Sequence, residues 1–286
     1  MSSTIAHPGP LAERDHDPAP WRGRDGIIKF LEFPVRKAGL SHRAFHLYWQ
    51  RHHSPHVMNV TGFSRYMRKY VSAHGYDAPV SGLPARYRQT MPFDGASEVW
   101  VNGLDEIAGW LGHPLYPELI HPDEQRFLSQ EGLTRTLLTR EERILEGPPD
   151  APESGLVKLY TLLKSREGLD RESFHAGVSA HAHRLAQLGG PPAPCQLAVS
   201  HRIADPLPIE LQPSGIDAVL ELVFASLSEL RAYLVSSGDE AAWAAAEDKL
   251  IDAGASRALV ARLCVVHDEF SFQPTTMQPR PFSWDD

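Results

Sequence analysis

Three closely spaced histidines, His52, His53 and His56, are the first candidates for chemistry in this chain of 286 residues. Imidazole titrates near neutral pH, so a histidine held in one orientation can take up and release a proton under physiological conditions. A helix would place His53 on the same buried face as Trp49. We therefore interpret His53 as a general acid or base. The alternative is that these histidines only stabilise a helix end, where a cation gains ~0.3–1 kcal/mol from the macrodipole.

The helix that would carry His53 is bounded by two signals. Ser41 is a favourable N-cap residue, which predicts that a helix begins just after it. Pro55 disfavours helical geometry at the residue before it, which predicts that the helix ends near His53. Phe45 and Trp49 precede His53 at helical spacing, and their packing would hold its ring in place.

Tyr66, Arg68 and Tyr70 form a second candidate group. They lie in the segment Phe63–Ala73, whose alternating pattern predicts a strand. The period of two places all three on one face of that strand. If this face lines a cavity, Tyr66 could donate a hydrogen bond to a phenolate or enolate, and Arg68 could stabilise the charge. If it faces solvent, the three side chains form only a polar surface.

His74 and Glu98 are further candidates for substrate contacts. His74 begins a segment without periodicity, residues 74–94, which we interpret as a loop that could act as a lid. His74 would then bind at the cavity mouth, unless it is an ordinary loop residue. Glu98 lies among apolar neighbours in a third predicted strand, residues 96–101. A buried carboxylate needs a partner or a raised pKa, so Glu98 is either the structural partner of an arginine or a base.

The predicted elements repeat along the chain. Over residues 27–145 their order is strand, helix, strand, strand, helix, strand, which is a ferredoxin-like unit. Residues 27–46 align without a gap with residues 156–175, and Lys29 meets Lys158. Such an internal duplication predicts an α+β fold in which tandem ferredoxin-like (βαββαβ) repeats form an intrachain pseudo-dimeric α+β barrel.

Composition suggests the domain boundaries. Residues 1–26 are polar and rich in proline, which predicts a flexible N-terminal arm. The first domain spans 27–145 and a divergent second domain spans 156–270. Between them, residues 146–155 have the composition of a linker. Residues 271–286 predict an extended C-terminal tail.

Overall composition excludes several classes of function. The net charge of −8 argues against binding to nucleic acid. No apolar run approaches the roughly 20 residues that a membrane helix needs, so we expect no membrane partner. Two cysteines provide no disulfide framework, which favours a cytoplasmic location. We expect a monomer with pseudo-dimer architecture or a homodimer.

The run GLSHRAFHLYWQRHHSP, the segment SRYMRKY and the run DGASEVWVNGLDEI resemble the EthD family. Eight residues occupy positions of its pattern: Phe45, Trp49, His53, Tyr66, Asp94, Gly95, Glu98 and Trp100. Over 156–270 the resemblance is weaker, because Val178 replaces the tryptophan, Ala182 replaces the histidine and the Asp-Gly pair is absent. His181 and His183 flank that alanine.

The resemblance implies a dimeric α+β barrel with a ligand cavity between sheet and helices. Similar proteins include cofactor-free polyketide cyclases, decarboxylases, monooxygenases of phenolic rings, a muconolactone isomerase and haem-binding branches. A fold of this kind does not fix a function. We interpret Trp49 and Trp100 as substrate-binding residues, together with Tyr70, His74 and Glu98.

The first half is expected to carry the chemistry. The strand of the second half that matches residues 65–71 lies near Cys195–His201, and its centre, Leu197–Val199, is apolar. We predict a cofactor-independent enzyme that moves protons on a small aromatic, phenolic or lactone substrate, in a decarboxylation, cyclisation or isomerisation. The alternatives are a non-catalytic small-molecule-binding protein and a cofactor-free or haem-dependent monooxygenase. No cofactor is expected, with a haem or metal site as an open alternative.

Overall fold

The computed structural model describes residues 26–77, 80, 83, 93–131, 135–147, 153–187, 192–204, 207, 214–236 and 245–270. The predicted N-terminal arm (apart from residue 26), the C-terminal tail, most of the predicted lid and half of the predicted linker lie outside these residues.

Among the residues described, each half contributes four strands. In the first half these are β1 (Ile28–Phe33), β2 (Lys69–Gly75), β3 (Gly95–Val101) and β4 (Arg135–Leu145). In the second half they are β5 (Val157–Leu163), β6 (Gln196–Arg202), β7 (Ala218–Phe224) and β8 (Arg257–Asp268). The two sets match strand for strand, as the internal alignment predicts.

The eight strands form one closed antiparallel barrel in the order β1-β3-β2-β8-β5-β7-β6-β4. Within each half the order is that of a ferredoxin-like sheet. The halves join where β2 pairs with β8 and β4 pairs with β6. Each half thus covers the open sheet edges of the other, so none of the described strands is left as an unpaired edge. The predicted α+β fold with an intrachain pseudo-dimeric barrel is confirmed.

Helices cover the outer face of the barrel. The first half has α1 (His42–Tyr48), α2 (Ser54–Asn59), α3 (Thr61–Ser64), α4 (Leu104–Leu111) and α5 (His121–Phe127). The second half has α6 (Arg171–Gln187) and α7 (Leu227–Ser236). Two π-helical turns, Trp49–His53 and Tyr116–Ile120, precede α2 and α5. None of the helices in the described part of the chain is long and apolar enough to cross a membrane.

The prediction that the first helix ends near His53 is wrong. The chain stays helical through Asn59, because the turn Trp49–His53 widens to π geometry and Pro55 falls in the first turn of α2. Ser54 N–H bonds the carbonyl of Trp49, five residues back. Proline is tolerated at a helix start because its missing N–H is not needed there.

The predicted strand Phe63–Ala73 is also wrong in its first part. Residues Thr61–Ser64 form α3, and the strand begins only at Lys69. Tyr66 and Arg68 therefore lie in the connection between α3 and β2. They do not share a strand face with Tyr70, which removes the geometric premise that grouped the three.

Two different environments lie on the two faces of the first sheet. Leu31, Val71 and Trp100 point into the barrel, where they pack with side chains of the second half. Phe30 and Tyr70, one residue along from Leu31 and Val71, point outward and pack under the helices. The candidate residues on the sheet are divided between these faces by the strand period of two.

Candidate functional site

His53 lies in the layer between the first sheet and its helices, with only 7% of its surface exposed. Its Nδ1 lies 2.9 Å from Asp123 Oδ2, and Tyr48 donates a hydrogen bond of 2.5 Å to the other oxygen of the same carboxylate. Burial would raise the pKa of Asp123, but the hydrogen bonds from His53 and Tyr48 outweigh it and lower that pKa. An ionised Asp123 makes Nδ1 of His53 the protonated nitrogen, which leaves Nε2 as the basic one.

Tyr70 is held by the helical segment that carries His53. Trp49 Nε1 donates a hydrogen bond of 3.1 Å to the Tyr70 hydroxyl, and Ser54 Oγ lies 3.2 Å from it. Burial raises the pKa of Tyr70 to about 12, although these two hydrogen bonds oppose the shift. Tyr70 is therefore a neutral phenol at physiological pH. Trp49 and Ser54, on the helical segment that carries His53, hold its hydroxyl in position.

Glu32 adds an acid that the sequence interpretation did not single out. It lies on β1, on the face that packs under the helices. Burial and the charge of Glu124 on α5 raise the pKa of Glu32 to about 8. Glu124 accepts a hydrogen bond of 2.8 Å from Tyr116, and follows Asp123 directly in the chain. A protonated Glu32 can donate a hydrogen bond to an anion at neutral pH.

A surface cleft of about 550 Å³ opens beside this layer. Its lining includes Tyr48 and Asp123, the two groups linked to His53, and also Arg51, His56 and Arg126. The volume is in the range of small-molecule sites. Asp123 thus lines the surface cleft and also contacts the buried His53.

Glu98 and Trp100 lie elsewhere, inside the barrel. Glu98 forms ion pairs of 2.7 and 2.8 Å with Lys29 and Lys158, and it accepts a hydrogen bond from Tyr160. Lys29 also lies over the Trp100 ring, 4.7 Å from its centroid. The two lysines lower the pKa of Glu98 to about 2, against the effect of burial. Its partners are therefore lysines, and the expected arginine is not among them.

Tyr66 and Arg68 are not brought to His53. Arg68 pairs with Glu269, after β8, at 3.1 Å and with Glu106 on α4 at 3.6 Å. The Tyr66 hydroxyl accepts a hydrogen bond from Arg65. The structure groups His53, Trp49 and Tyr70 in one layer and leaves these two predicted catalytic residues at its edge.

His74 lies on β2 with Tyr70 and is buried, not at an open mouth. Its ring lies 5.1 Å from that of Trp49, and its Nδ1 contacts His46. Across the described part of the chain, no group of three or more histidine, cysteine or acidic side chains is arranged to hold a metal ion.

Sequence comparison identifies the region that contains this layer. Residues 37–131 match the EthD domain. The match includes the helical segment around His53, strands β2 and β3, and α5 with Asp123. No protein of curated function matches the chain by sequence.

One solved structure with this fold covers most of the chain, across both halves of the barrel. An anthrone oxidase-like protein is 10% identical, with 87% of this chain and 96% of that chain covered at a TM-score of 0.52. A "putative monooxygenase" from Lactobacillus acidophilus NCFM is 9% identical, with 84% and 96% covered and a TM-score of 0.48. A chlorite dismutase from Candidatus Nitrospira defluvii is 13% identical, with 84% and 91% covered and a TM-score of 0.41. At such identities the likeness to the first of these establishes the fold alone.

The second half lacks several polar groups that the first half has between its sheet and helices. Val71 pairs with Glu98 and Ala198 pairs with Glu221, so Leu197 occupies the place of Tyr70. The corresponding helix and strand positions are apolar or small as well: Thr161 for Glu32, Val178 for Trp49 and Ala182 for His53. Val178, Ala182 and Leu197 belong to a continuous apolar core. Only the first half keeps titratable side chains in the layer between sheet and helices at these positions.

Asp123 and Glu32 are the functional candidates that sequence reasoning missed. Asp123 lies 70 residues from His53 in the chain, in a segment without a clear pattern, so nothing local indicated the pair. Glu32 did leave a signal, because the alternation of β1 places it on the same face as Phe30. A carboxylate on an otherwise apolar strand face needs a reason to be there.

Proposed function

We propose that the chain is an enzyme that moves protons, without a cofactor, on a small aromatic, phenolic or lactone compound bound between the first sheet and its helices. The observation that carries the proposal is the hydrogen bond between His53 Nδ1 and Asp123. An imidazole held in one tautomer by a carboxylate presents its other nitrogen as a general base or acid.

The neighbouring groups suit the anion that such a step creates. Removal of a C–H proton next to a carbonyl or phenol leaves an enolate or phenolate, whose charge needs hydrogen-bond donors. Tyr70 and Glu32 carry their protons at neutral pH, since burial raises both pKa values. His53 would take the proton, while Tyr70 and Glu32 would stabilise the negative oxygen.

Deuterium exchange into carbon acids tests this proposal without knowledge of the natural substrate. Anthrone, a ketone with an acidic ring methylene, is the first probe, and simple phenolic ketones and lactones complete the panel. The protein in D₂O should speed the exchange of the acidic C–H protons, observed by proton NMR, and His53→Ala should lose this effect. If the protein binds members of the panel but accelerates no exchange, it is a non-catalytic binding protein.

A haem-dependent monooxygenase is the second candidate, because a histidine whose Nδ1 contacts a carboxylate is also typical of an axial haem ligand. The surface cleft that the structure describes is not lined by His53. The lining of this cleft therefore does not fit a haem held by His53. The purified protein should show no Soret band, and titration with haemin should not produce one that His53→Ala removes.

A further inference from the structure

Three histidines form a continuous chain of close contacts at the edge of the first half. His42 Nε2 lies 2.9 Å from His46 Nε2, and His46 Nδ1 lies 2.8 Å from His74 Nδ1. His74 Nε2 lies 3.3 Å from Ser72 Oγ. His42 is half-buried, whereas His46 and His74 are almost completely buried. The chain of contacts therefore runs from near the surface into the layer that contains Tyr70.

A backbone carbonyl fixes the direction of this chain. His42 Nε2 also lies 2.8 Å from the carbonyl oxygen of Gly75, which can only accept. His42 must therefore be protonated at Nε2, and His46 accepts at its Nε2. His46 then carries its proton on Nδ1 and donates to His74, which is protonated at Nε2 and donates to Ser72. Each link between the side chains has one donor and one acceptor when the rings are neutral, and the Nε2 proton of His42 is shared between His46 Nε2 and the Gly75 carbonyl.

The interior rings are neutral at physiological pH. Burial, followed by the neighbouring rings of His74 and His42 and the charge of Arg36, holds the pKa of His46 well below its usual range. Burial and His42 lower the pKa of His74 to about 3. The chain can therefore pass a proton by exchange of hydrogen bonds, but a proton is not stored on its inner rings.

The inner end of the chain lies beside the proposed site. Ser72 lies on the same face of β2 as Tyr70, two residues along the strand. Its hydroxyl points to the carbonyl of Cys264 at 3.5 Å, and Gln50 of the π-helical turn donates to the Cys264 thiol at 3.7 Å. Trp49, which donates to Tyr70, packs its ring 5.1 Å from that of His74.

The second half preserves the middle of this chain but not its ends. His175 and His201 match His46 and His74, and their rings lie 4.5 Å apart. Arg171 replaces His42 in the internal alignment, and Val199 replaces Ser72. The second half thus has no counterpart of His42 or Ser72, the two ends of the histidine chain. It also has no counterpart of Glu32, Tyr70 or His53. The middle pair of histidines is therefore common to both halves, whereas the two end residues occur only in the half that has the polar site.

We propose that His42, His46, His74 and Ser72 form a proton relay that delivers protons from solvent inward to an anion bound beside Tyr70. The relay rests on the proposed function, for which it supplies the proton that completes the reaction. A proton that reaches Nδ1 of His42 moves the Nε2 proton to His46, the Nδ1 proton of His46 to His74, and the Nε2 proton of His74 to Ser72. Ser72 releases its own hydroxyl proton to the anion. One proton enters and one leaves, and no ring keeps a net charge.

Ring tautomers and ring-proton exchange test the relay without any substrate. In protein labelled with ¹⁵N-histidine, NMR should show His46 protonated at Nδ1 and His74 at Nε2. Their ring protons should exchange with D₂O at least ~10-fold more slowly in His42→Arg, which introduces the residue of the second half. His175→Gln is the matched control and should leave these rates unchanged. The opposite tautomers, or equal exchange rates in His42→Arg and the wild type, would overturn the relay.

Ser72→Val separates the relay from the proposed function. The valine is the residue found at the matching position of the second half. The variant removes the inner end of the relay at Ser72 and leaves the outer end at His42 in place. Ring-proton exchange at His46 and His74 should stay within ~3-fold of the wild type, while deuteration of anthrone slows by at least ~10-fold. Unchanged anthrone exchange in Ser72→Val would refute inward delivery. The wild-type protein could show the predicted tautomers and ring-proton exchange and yet accelerate deuteration of none of the probes. That result would contradict the proposed function but not the hydrogen-bonded chain of histidines.

Discussion

Contacts of the ring nitrogens divide the histidines of this chain into different chemical roles. His53 contacts an ionised carboxylate, which sets its tautomer and leaves one basic nitrogen. His46 contacts two other histidines and can only relay a proton between them. His201 lies 3.1 Å from Glu142 in the second half, beside Ser179 and away from any matching Tyr70. The residue type suggests proton chemistry in all three cases, and the partner decides which kind is available.

His53→Ala should reduce the rate of proton exchange into an active probe by roughly 10²–10⁴-fold, the usual contribution of a general acid or base. Asp123→Asn should reduce kcat by ~10-fold or more and leave KM nearly unchanged, because it removes the group that sets the tautomer of His53. His183→Ala on α6 is the control, since this exposed side chain lies outside the proposed site. Equal losses in His53→Ala and His183→Ala would show that His53 has no special role.

Glu32 should make the folded protein less stable as pH rises. Its pKa is about 8 in the folded protein, because of burial and Glu124, against an ordinary value of 4.5. Between these values the folded state keeps a proton that the unfolded state has released. Stability should therefore fall with rising pH, by up to about 1.4 kcal/mol per unit.

Urea unfolding at about pH 5, 6.5 and 8 measures this dependence. Glu32→Gln should flatten it, so the variant gains on the wild type as pH rises. Glu131→Gln changes an exposed carboxylate and should follow the wild-type curve. A Glu32→Gln variant whose stability declines with pH as steeply as that of the wild type would place the Glu32 pKa in its ordinary range.

At the scale of elements, the Asp-Gly pair before β3 has two separate structural roles. Asp94 accepts a hydrogen bond of 2.8 Å from the backbone N–H of Arg36. Asp217 keeps that role in the second half, where it accepts from the N–H of Ser165 at 2.9 Å. The aspartate is therefore retained as Asp217, although the Asp-Gly pair as such is lost there. Only the glycine is replaced.

Gly95 makes room for Trp49, and the second half changes both residues together. A Cβ atom on Gly95 would lie 2.7 Å from Cζ3 of Trp49 and 2.4 Å from the carbonyl oxygen of Ala73. In the second half Ala218 stands for Gly95 and Val178 for Trp49. The glycine of the motif thus makes room both for a carbonyl of the neighbouring strand and for the large ring packed on it.

Gly95→Ala should destabilise the protein by about 1–3 kcal/mol through overpacking. Trp49→Val should cost ~3 kcal/mol because it leaves a cavity. The double variant, which copies the pair of the second half, should be more stable than the sum of the single effects by ~1 kcal/mol. Urea unfolding of the four proteins measures this coupling, and strict additivity would show that Trp49 does not require the glycine.

The sequence predicts the strands better than it predicts the site. The sequence places the third strand at residues 96–101, within one residue of the observed start of β3. The helix through Pro55 was missed because a π-helical turn depends on tertiary packing. Asp123 was missed because its contact with His53 joins two distant helical segments.

At the scale of the whole molecule, the barrel centre is organised by charge. Lys29 lies 2.7 Å from Glu98 and 2.7 Å from Glu221, and Lys158 lies 2.8 and 2.9 Å from the same carboxylates. Each lysine therefore contacts one glutamate of its own half and one of the other half. The internal alignment relates the two lysines to each other and the two glutamates to each other, so the cluster has approximate two-fold symmetry.

Removal of one lysine from this cluster should therefore destabilise the whole barrel. Lys29→Met leaves Glu98, Glu221 and Glu141 with too little positive charge in a buried site, which should cost about 3–5 kcal/mol. Lys29→Met combined with Glu98→Leu restores the charge balance, and the double variant should be more stable than Lys29→Met alone.

The comparison of unfolding free energies in urea at neutral pH decides whether charge balance is what the barrel requires. Lys158→Met is the matched variant of the second half and should be destabilised to a similar extent, because it removes the same contacts to Glu98 and Glu221. If Lys29→Met with Glu98→Leu is less stable than Lys29→Met alone, the hydrogen bond from Tyr160 to Glu98 outweighs the charge balance. If Lys158→Met is as stable as the wild type, the centre depends on Lys29 alone and the two halves contribute unequally.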